Sequence, residues 1–390
     1  MVWCNAPLRL TILLRFIIIN IETMNIKLKQ IVSSTLLAAL AVAPVASYAG
    51  NPDRGGSAGA QELLINPFAS SSGWGNANTS CVRGLESMFS NIAGMAFTRK
   101  TEVMYSHTNW LGGTGIAINN FGLTQHVGAT GCIGLNIMSM SAGTIPVTTT
   151  DLPGGTGATF NPSLINIGIS YAKGFSDNIF GGATIRIIQE SISNVKASGV
   201  AIDAGVQYHT GRYDQVHFGV ALRNVGPSMN YKGDGLSFDA NVLNGTQYNS
   251  SINGYTASFE NKSASVELPS MLNIGLAYDF YLTRDTAGLK KDFRLTVAAN
   301  FTSNSFTNDL YTGGVELAIK KFVRIRGGYT YEKNGGTNTL SVNVFTGPSA
   351  GATLQLPFGK DKKSTFAIDY SYRSTSTFTG VNTFGLRVNL

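Results

Sequence analysis

Charge is scarce in this chain. Asp, Glu, Lys and Arg make up only 13% of its 390 residues, about half the share of an ordinary soluble domain. Cysteine and histidine are scarcer still, at three and four residues. His107, His126, His209 and His217 show no metal-ligand spacing, and no Cys pair completes a set, so no metal centre is expected. No Gly-rich loop ends in Lys-Ser or Lys-Thr; Gly112-Gly113-Thr114-Gly115 and Gly154-Gly155-Thr156-Gly157 read as loop glycines. Gly55-Gly56-Ser57-Ala58-Gly59 matches the nucleophile-elbow pattern literally, without the strand before and helix after that the motif needs. His217 near Asp214 is a triad fragment of a kind that any chain of this length offers. No catalytic residue and no cofactor is expected. Long apolar runs are also missing. After the leader none approaches the roughly 20 residues of a membrane-spanning helix. Low charge without such runs is what alternating, lipid-facing strands produce.

The net charge of +7 comes partly from the leader. Lys and Arg do not cluster as they would for nucleic acid, which is not an expected partner. Lys290-Lys291, Lys320-Lys321 and Lys362-Lys363 fall at predicted turns, where they suit anionic headgroups or simply keep the turns soluble. Cys4 lies in the leader. Cys81 and Cys132 are either a bridge, in an oxidising compartment, or two small buried residues.

Met24 reads as the true start. Lys27 and Lys29 precede an apolar core, Ile31 to Ala46, and Ser47-Tyr48-Ala49 is a cleavage site ahead of Gly50. Residues 1–23 are then an upstream extension, 24–49 a signal peptide, 50–99 an N-terminal plug segment and 100–390 a barrel.

The barrel expectation rests on a period of two. Phe366, Ile368, Tyr370 and Tyr372 alternate with Ala367, Asp369, Ser371 and Arg373, and Phe384, Leu386, Val388 and Leu390 continue the pattern to the last residue. The predicted class is all-β: a transmembrane antiparallel barrel of about 14 strands, with a plug containing a short helix. The strands run near 100–108, 114–123, 127–140, 164–174, 179–192, 198–209, 214–225, 268–280, 291–301, 310–320, 322–332, 342–356, 364–373 and 380–390. Even connections are short (Thr124–His126, Phe175–Asn178, Thr210–Tyr213, Lys320–Lys321, Pro357–Lys363). The long ones, Ser141–Ser163 and Gly226–Glu267, are odd, as expected of periplasmic turns and external loops. Tyr171, Tyr208, Tyr278, Phe280, Tyr329, Tyr331, Tyr370 and Tyr372 are candidates for interfacial girdles. Arg186, Asp203, Arg223, Asp279, Arg294, Glu316, Arg324, Arg326, Asp369 and Arg387 fall on the inward face, where both signs of charge predict lumenal ion pairs. Leu85, Met88, Phe89 and Ile92 have helical spacing, and Gly94 is able to stop the helix. Such a helix either plugs the lumen or lies on the periplasmic surface. The 226–267 connection carries Tyr231, Phe238, Tyr248, Tyr255 and Phe259 among polar residues, a composition suited to binding a partner or to a mobile loop.

Two sets of residues carry a resemblance. Gly84 to Gly94, with Leu85, Met88, Phe89, Asn91 and Gly94, resembles the plug motif of the outer-membrane long-chain fatty-acid transporter superfamily, although that superfamily usually has Pro where this chain has Ile92. Gly219–Pro227, Tyr231–Leu236, Leu268-Pro269-Ser270, Arg294–Phe301 and Asp309–Glu316 resemble the PorV/PorQ family of the type IX secretion system of Bacteroidetes. The likeness runs from about Gly59 to the end. It implies a non-catalytic outer-membrane shuttle. Such a shuttle takes cargo from the translocon barrel by its C-terminal signal domain and delivers it to a sortase-like attachment complex that joins it to lipopolysaccharide. It hands over no residue-level cargo motif. Two other functions fit the composition. One is a channel for long-chain fatty acids or other hydrophobic solutes, which needs an apolar pocket by the plug and a strand kink, as at Gly181-Gly182 or Gly327-Gly328. The other is a lipopolysaccharide O-deacylase, which needs a Ser-His-acid set at the outer rim.

Overall fold

Backbone amides in a bilayer have no water to bond, so strands that carry lipid-facing side chains are stable only if the ladder closes on itself. It does so here. A computed structural model describes residues 50–243, 254–285, 288–332, 343–359, 364–375 and 378–390. The expected upstream extension, the signal peptide, Tyr248 and Lys362-Lys363 lie outside the described residues, as do the side chains of Tyr255, Lys290 and Lys291. Fourteen antiparallel strands form the wall: β1 Thr101–Trp110, β2 Ile116–Val127, β3 Gly131–Ser141, β4 Ser163–Gly174, β5 Ile179–Ile192, β6 Val195–Thr210, β7 Val216–Val225, β8 Met271–Asp285, β9 Gly288–Asn304, β10 Leu310–Ile319, β11 Val323–Glu332, β12 Gly347–Phe358, β13 Ser364–Arg373 and β14 Val381–Asn389. Each pairs with its neighbour in sequence, and β1 pairs with β14 from Glu102↔Asn389 to Asn109↔Asn382.

The period of two sets what each side chain meets. Ile169, Ile185, Ile202, Ile325 and Phe384 point outward and are more than half exposed on the isolated chain. Their neighbours Ser170, Thr184, Arg186, Asp203 and Arg326 point inward and are buried. Such a wall is stable only against hydrocarbon. Tyr171, Tyr208, Tyr278 and Phe280 form an exposed outer group toward the short-turn end, and Tyr329, Tyr331, Tyr370 and Tyr372 form one toward the opposite end. These are the positions of two interfacial girdles. The first even turn is at 128–130, where Gly128 has φ +70°, and not at Thr124–His126, which continues β2. One odd connection is also tight, at Ser193-Asn194 with Ser193 at φ 53°.

From Ala60 to Thr98 the N-terminal segment is largely buried inside the barrel, while the stretch before it is mostly exposed, with Arg54 paired to Glu267 of the 226–270 connection. The single helix expected over Gly84–Gly94 is two short 3₁₀ segments, Leu85–Phe89 and Ile92–Phe97. The break has a cause at Asn91. Its Oδ1 caps the second segment by accepting the Ala93 N–H at 3.2 Å, and its Nδ2 donates to wall carbonyls, including Val206 at 3.0 Å. A side chain committed to both tasks stops the helix. Leu85, Met88, Phe89 and Ile92 are buried against Met104, Ile118, Cys132 and Met138 of the wall, so these segments are not on the periplasmic surface. The one α-helix of the plug, Ala69–Gly73, falls in a Ser-rich stretch with no apolar period.

Inward glycines on many strands let plug backbone touch wall backbone. A Cβ on Gly328 would stand 2.1 Å from the Trp74 carbonyl oxygen, and one on Gly205 would stand 2.2 Å from Asn91 Oδ1. Neither site admits a side chain while the plug is seated.

Ile169→Arg places a guanidinium in mid-wall. It should destabilise the folded barrel by about 2–4 kcal/mol in equilibrium unfolding from phospholipid vesicles. An unchanged stability would mean that Ile169 meets protein and not lipid.

Candidate functional site

Toward the short-turn end, inward charges join across eight strands. His217 Nε2 lies 3.2 Å from Asp279 Oδ2, and Arg294 lies 3.6 Å from the same oxygen. Arg294 also reaches Glu316 at 2.8 Å, and Arg326 Nε donates to the other Glu316 oxygen at 2.7 Å. Arg326 then donates to Thr353, Thr353 to Asp369, and Arg387 to both Asp369 oxygens at 3.1 Å. The chain ends on the plug, where Glu86 sits 3.9 Å from Arg387 and accepts from Ser70 and Ser71. A separate pair, Arg186–Asp203 at 2.8 Å, lies higher in the lumen. Of the predicted lumen charges, Arg223 bonds to the Leu63 carbonyl at 3.2 Å, and Arg324 faces a cavity.

That cavity, about 910 Å³, lies below the plug and is lined by Arg83, Arg99, Lys100, Lys320, Lys321 and Arg324 among others. The Arg83 guanidinium covers the Phe97 ring at 4.6 Å, and burial lowers its pKa from the usual arginine range. Cys81 and Cys132 are both free. Burial pushes the Cys81 thiol up, so it is not a nucleophile. The cavity is polar and is not the apolar pocket that a hydrophobic-solute channel was expected to need.

The wall is weakest elsewhere than expected. Gly181-Gly182 and Gly327-Gly328 sit in unbroken register with both neighbours, so neither is a kink. One register shift lies between β8 and β9, at Tyr281/Thr283; the other is between β6 and β7, where Ile202 pairs with Val225 but Ala204 pairs with Leu222. Asn224 takes a left-handed φ of 59°, and its N–H donates to Asp203 Oδ1 at 2.7 Å. The carboxylate thus holds both the bulge and Arg186. Beyond it β7 ends, and the ladder of β6 resumes only at Ala197↔Tyr231 and Lys196↔Lys232. Three fragments fill the interval: Met229 bridges Val266, and Glu267 bridges Ala58 of the plug segment. Behind them Ala60, Leu63, Ile188, Ala197, Ala201, Met229 and Leu268 form an apolar cluster. This seam is the one place among the described residues where the wall is completed by non-barrel segments.

A second apolar cluster runs from Trp110 and Phe345, near the external end, through Ile118 and Met138 to Phe68, Phe89, Leu85 and Met88 of the plug. Outside the lumen, the 226–270 connection contains a hairpin that was expected as a loop, Ser237–Leu243 paired with Gly254–Glu260. Phe238 and Phe259 stack across it at 5.8 Å, both exposed. Tyr231 does not join them; it is half-buried at the seam, where its hydroxyl donates to Glu190. The predicted binding aromatics therefore divide between two places. Sequence reasoning missed Glu62, Glu190 and Asn224. Glu62 had a signal, being the sole charged residue between positions 55 and 82.

No protein-family model and no curated protein sequence matches the chain. Solved structures do. The CymD monoaromatic hydrocarbon channel superposes with a TM-score of 0.50 at 11% identity, over 83% of this chain and 97% of that one. A Pseudomonas aeruginosa FadL homologue gives 0.49 at 13% identity, over 83% and 98%. The Pseudomonas putida toluene transporter TodX gives 0.49 at 10%, over 83% and 97%. At such identities the likeness is one of fold. Together with the outward apolar wall it decides the location. The chain is an integral outer-membrane β-barrel. The triad a deacylase needs at the outer rim is not found among the described residues. His217 bonds to Asp279 and not to Asp214, inside the lumen near the short-turn end.

Glu316→Gln leaves Arg294 and Arg326 without their shared carboxylate. It should cost about 3–5 kcal/mol of stability, while the double variant with Arg326→Gln should lose less than the sum. Strict additivity in that double-mutant cycle would remove the coupling.

Proposed function

We propose that this barrel is an outer-membrane channel for hydrophobic solutes, such as long-chain fatty acids or monoaromatic hydrocarbons, that leave the lumen sideways at the seam. The observation that carries this reading is the seam itself. The wall there is broken in register by the Asp203–Asn224 bulge, backed by apolar side chains and closed only by fragments of plug and loop. A solute too apolar for the charged lower lumen needs a route that ends in the bilayer. Support also comes from the fold, since the CymD structure it resembles is titled a monoaromatic hydrocarbon channel. The apolar cluster from Trp110 and Phe345 to the plug supplies a matching entry surface at the external end.

A disulfide across the seam tests this. A Cβ built on Gly59 would lie 3.2 Å from that of Val266, a few tenths of an ångström short of a disulfide's usual span. In the Gly59→Cys/Val266→Cys variant, uptake of labelled fatty acid or toluene by whole cells should fall at least tenfold when oxidised and recover on reduction. Equal uptake in both states would exclude the seam as the route.

A second reading is favoured by one observation, the exposed Phe238–Phe259 pair. A hairpin that presents two stacked rings to the medium suits protein capture better than solute transport. This is the cargo-shuttle function that the residue-level resemblance implies, with a type IX translocon barrel, cargo C-terminal signal domains and a sortase-like attachment complex as partners. Under it, Phe238→Ser/Phe259→Ser should leave the barrel folded and release normally surface-attached proteins into the medium. Unchanged attachment, both in that variant and after deletion of the whole chain, would remove it.

A further inference from the structure

Glu62 is an anomaly of the plug. The residue is 97% buried, and neither carboxyl oxygen has a hydrogen-bond partner. The charged group facing it is another carboxyl, that of Glu190, which points inward from β5 and is itself buried. Asn166, inward from β4 and fully buried, lies against the same carboxyl with its amide otherwise unpartnered. Tyr231, from the external connection, donates its hydroxyl to Glu190. Plug, wall and loop thus meet at a pair of acids.

The basic groups nearby are engaged elsewhere. Arg223 donates to the Leu63 carbonyl, and Arg186 donates to Asp203 and to the Met88 carbonyl. Lys196 and Lys232 are exposed at the seam's outer rungs. Two ionised carboxylates facing each other away from water repel strongly. One proton between them replaces that repulsion with a short charge-assisted bond.

We propose that Glu62 and Glu190 hold a single proton between them, and that this shared proton is the latch fastening the plug segment at 58–63 and the loop at Tyr231 onto the wall. The latch would act at the seam whether the seam passes a solute or not. Burial, and then the neighbouring Glu190 charge, push the Glu62 carboxyl up from 4.5 to about 7. The seated form therefore binds the proton more tightly than the released form. Seating is at full strength below the pKa of a free carboxyl and is lost as pH rises through about 7. Across that interval, released molecules should increase about tenfold per pH unit. A low-pH surface keeps the seam shut, and an alkaline one frees it.

The test uses the full chain in lipid nanodiscs with chelator present and a spin label on Ser57→Cys, an exposed position beside the segment. The mobile fraction of the label should climb between pH 5 and 8 in the otherwise unchanged protein. With Glu62→Gln added, whose amide can donate to Glu190 at any pH, the label should stay immobile throughout. With Glu62→Ala it should be mobile at every pH. A flat profile in the parent, or an unchanged profile in the Gln variant, overturns the proposal. So does recovery of the immobile form by excess calcium at high pH, which would make the acid pair a cation site instead. None of these readouts measures transport, so a failed uptake experiment leaves the latch standing, and the reverse holds too.

Discussion

Satisfaction of the backbone in hydrocarbon is the constraint from which the rest follows. Every strand needs two ladder partners, and the ladder closes with the pairing of β1 with β14. Register shifts occur between β8 and β9, at Tyr281/Thr283, and between β6 and β7, and only at the second is the outer ladder handed to non-barrel segments. There Asn224 turns left-handed, β7 stops at Val225, and the outer part of β6 is left to be completed by Tyr231-Lys232. In water a frayed ladder is tolerable. In a membrane it has to be covered, and the chain covers it with segments of loop and plug. Closure everywhere else is what gives this one seam its meaning.

The same wall dictates the interior. Because alternate residues face lipid, the other half face the lumen, and a lumen filled with plug becomes a second core. Two devices seat the plug. Inward glycines such as Gly219 and Gly328 let backbone meet backbone, and Asn91 bonds to the Val206 carbonyl of the wall while capping its own 3₁₀ segment. The charges are segregated by height. The ion-pair chain from His217 to Arg387 lies toward the short-turn end, with its two signs matched link by link. Buried pairs of this kind contribute little net stability, but leaving one member alone is costly. That favours a fixed lower plug, whereas at the seam the plug is held by an apolar cluster, the Arg223–Leu63 hydrogen bond and the exposed Arg54–Glu267 pair.

Much of this was legible in the sequence, for a reason of scale. A period of two is local and repeats fourteen times, so strand positions, the inward charges Arg294, Glu316, Asp369 and Arg387, and the two girdles all follow from single-residue alternation. What was not legible depends on residues far apart. The Gly84–Gly94 stretch has helical spacing, yet Asn91 is claimed by carbonyls more than a hundred positions away and the helix breaks. Gly181-Gly182 and Gly327-Gly328 invite a kink by composition, but their glycines serve close packing. The real bulge is made by Asn224, whose left-handed φ is held by Asp203. The hairpin around Phe238 and Phe259 was hidden in a polar stretch that reads equally well as loop.

The asymmetry between the two ends of the molecule bears on how it works. At the short-turn end the cavity below the plug is ringed by Arg83, Arg99, Lys100, Lys320, Lys321 and Arg324, an environment hostile to an apolar solute and costly to widen because the ion-pair chain crosses it. At the opposite end the side chains that meet the plug include Trp110, Ile118, Met138 and Phe345, and a separate apolar cluster backs the interrupted wall. Under the proposed channel function, an apolar molecule entering from outside would meet lower resistance sideways than downward. It would need only Met229, Val266, Leu268 and the plug segment to move, none of which carries a ladder longer than a single bridge. The Glu62–Glu190 pair lies at that junction beside Asp203, Asn224 and the Arg54–Glu267 ion pair, and under the latch proposed above its state of protonation decides whether those fragments stay down.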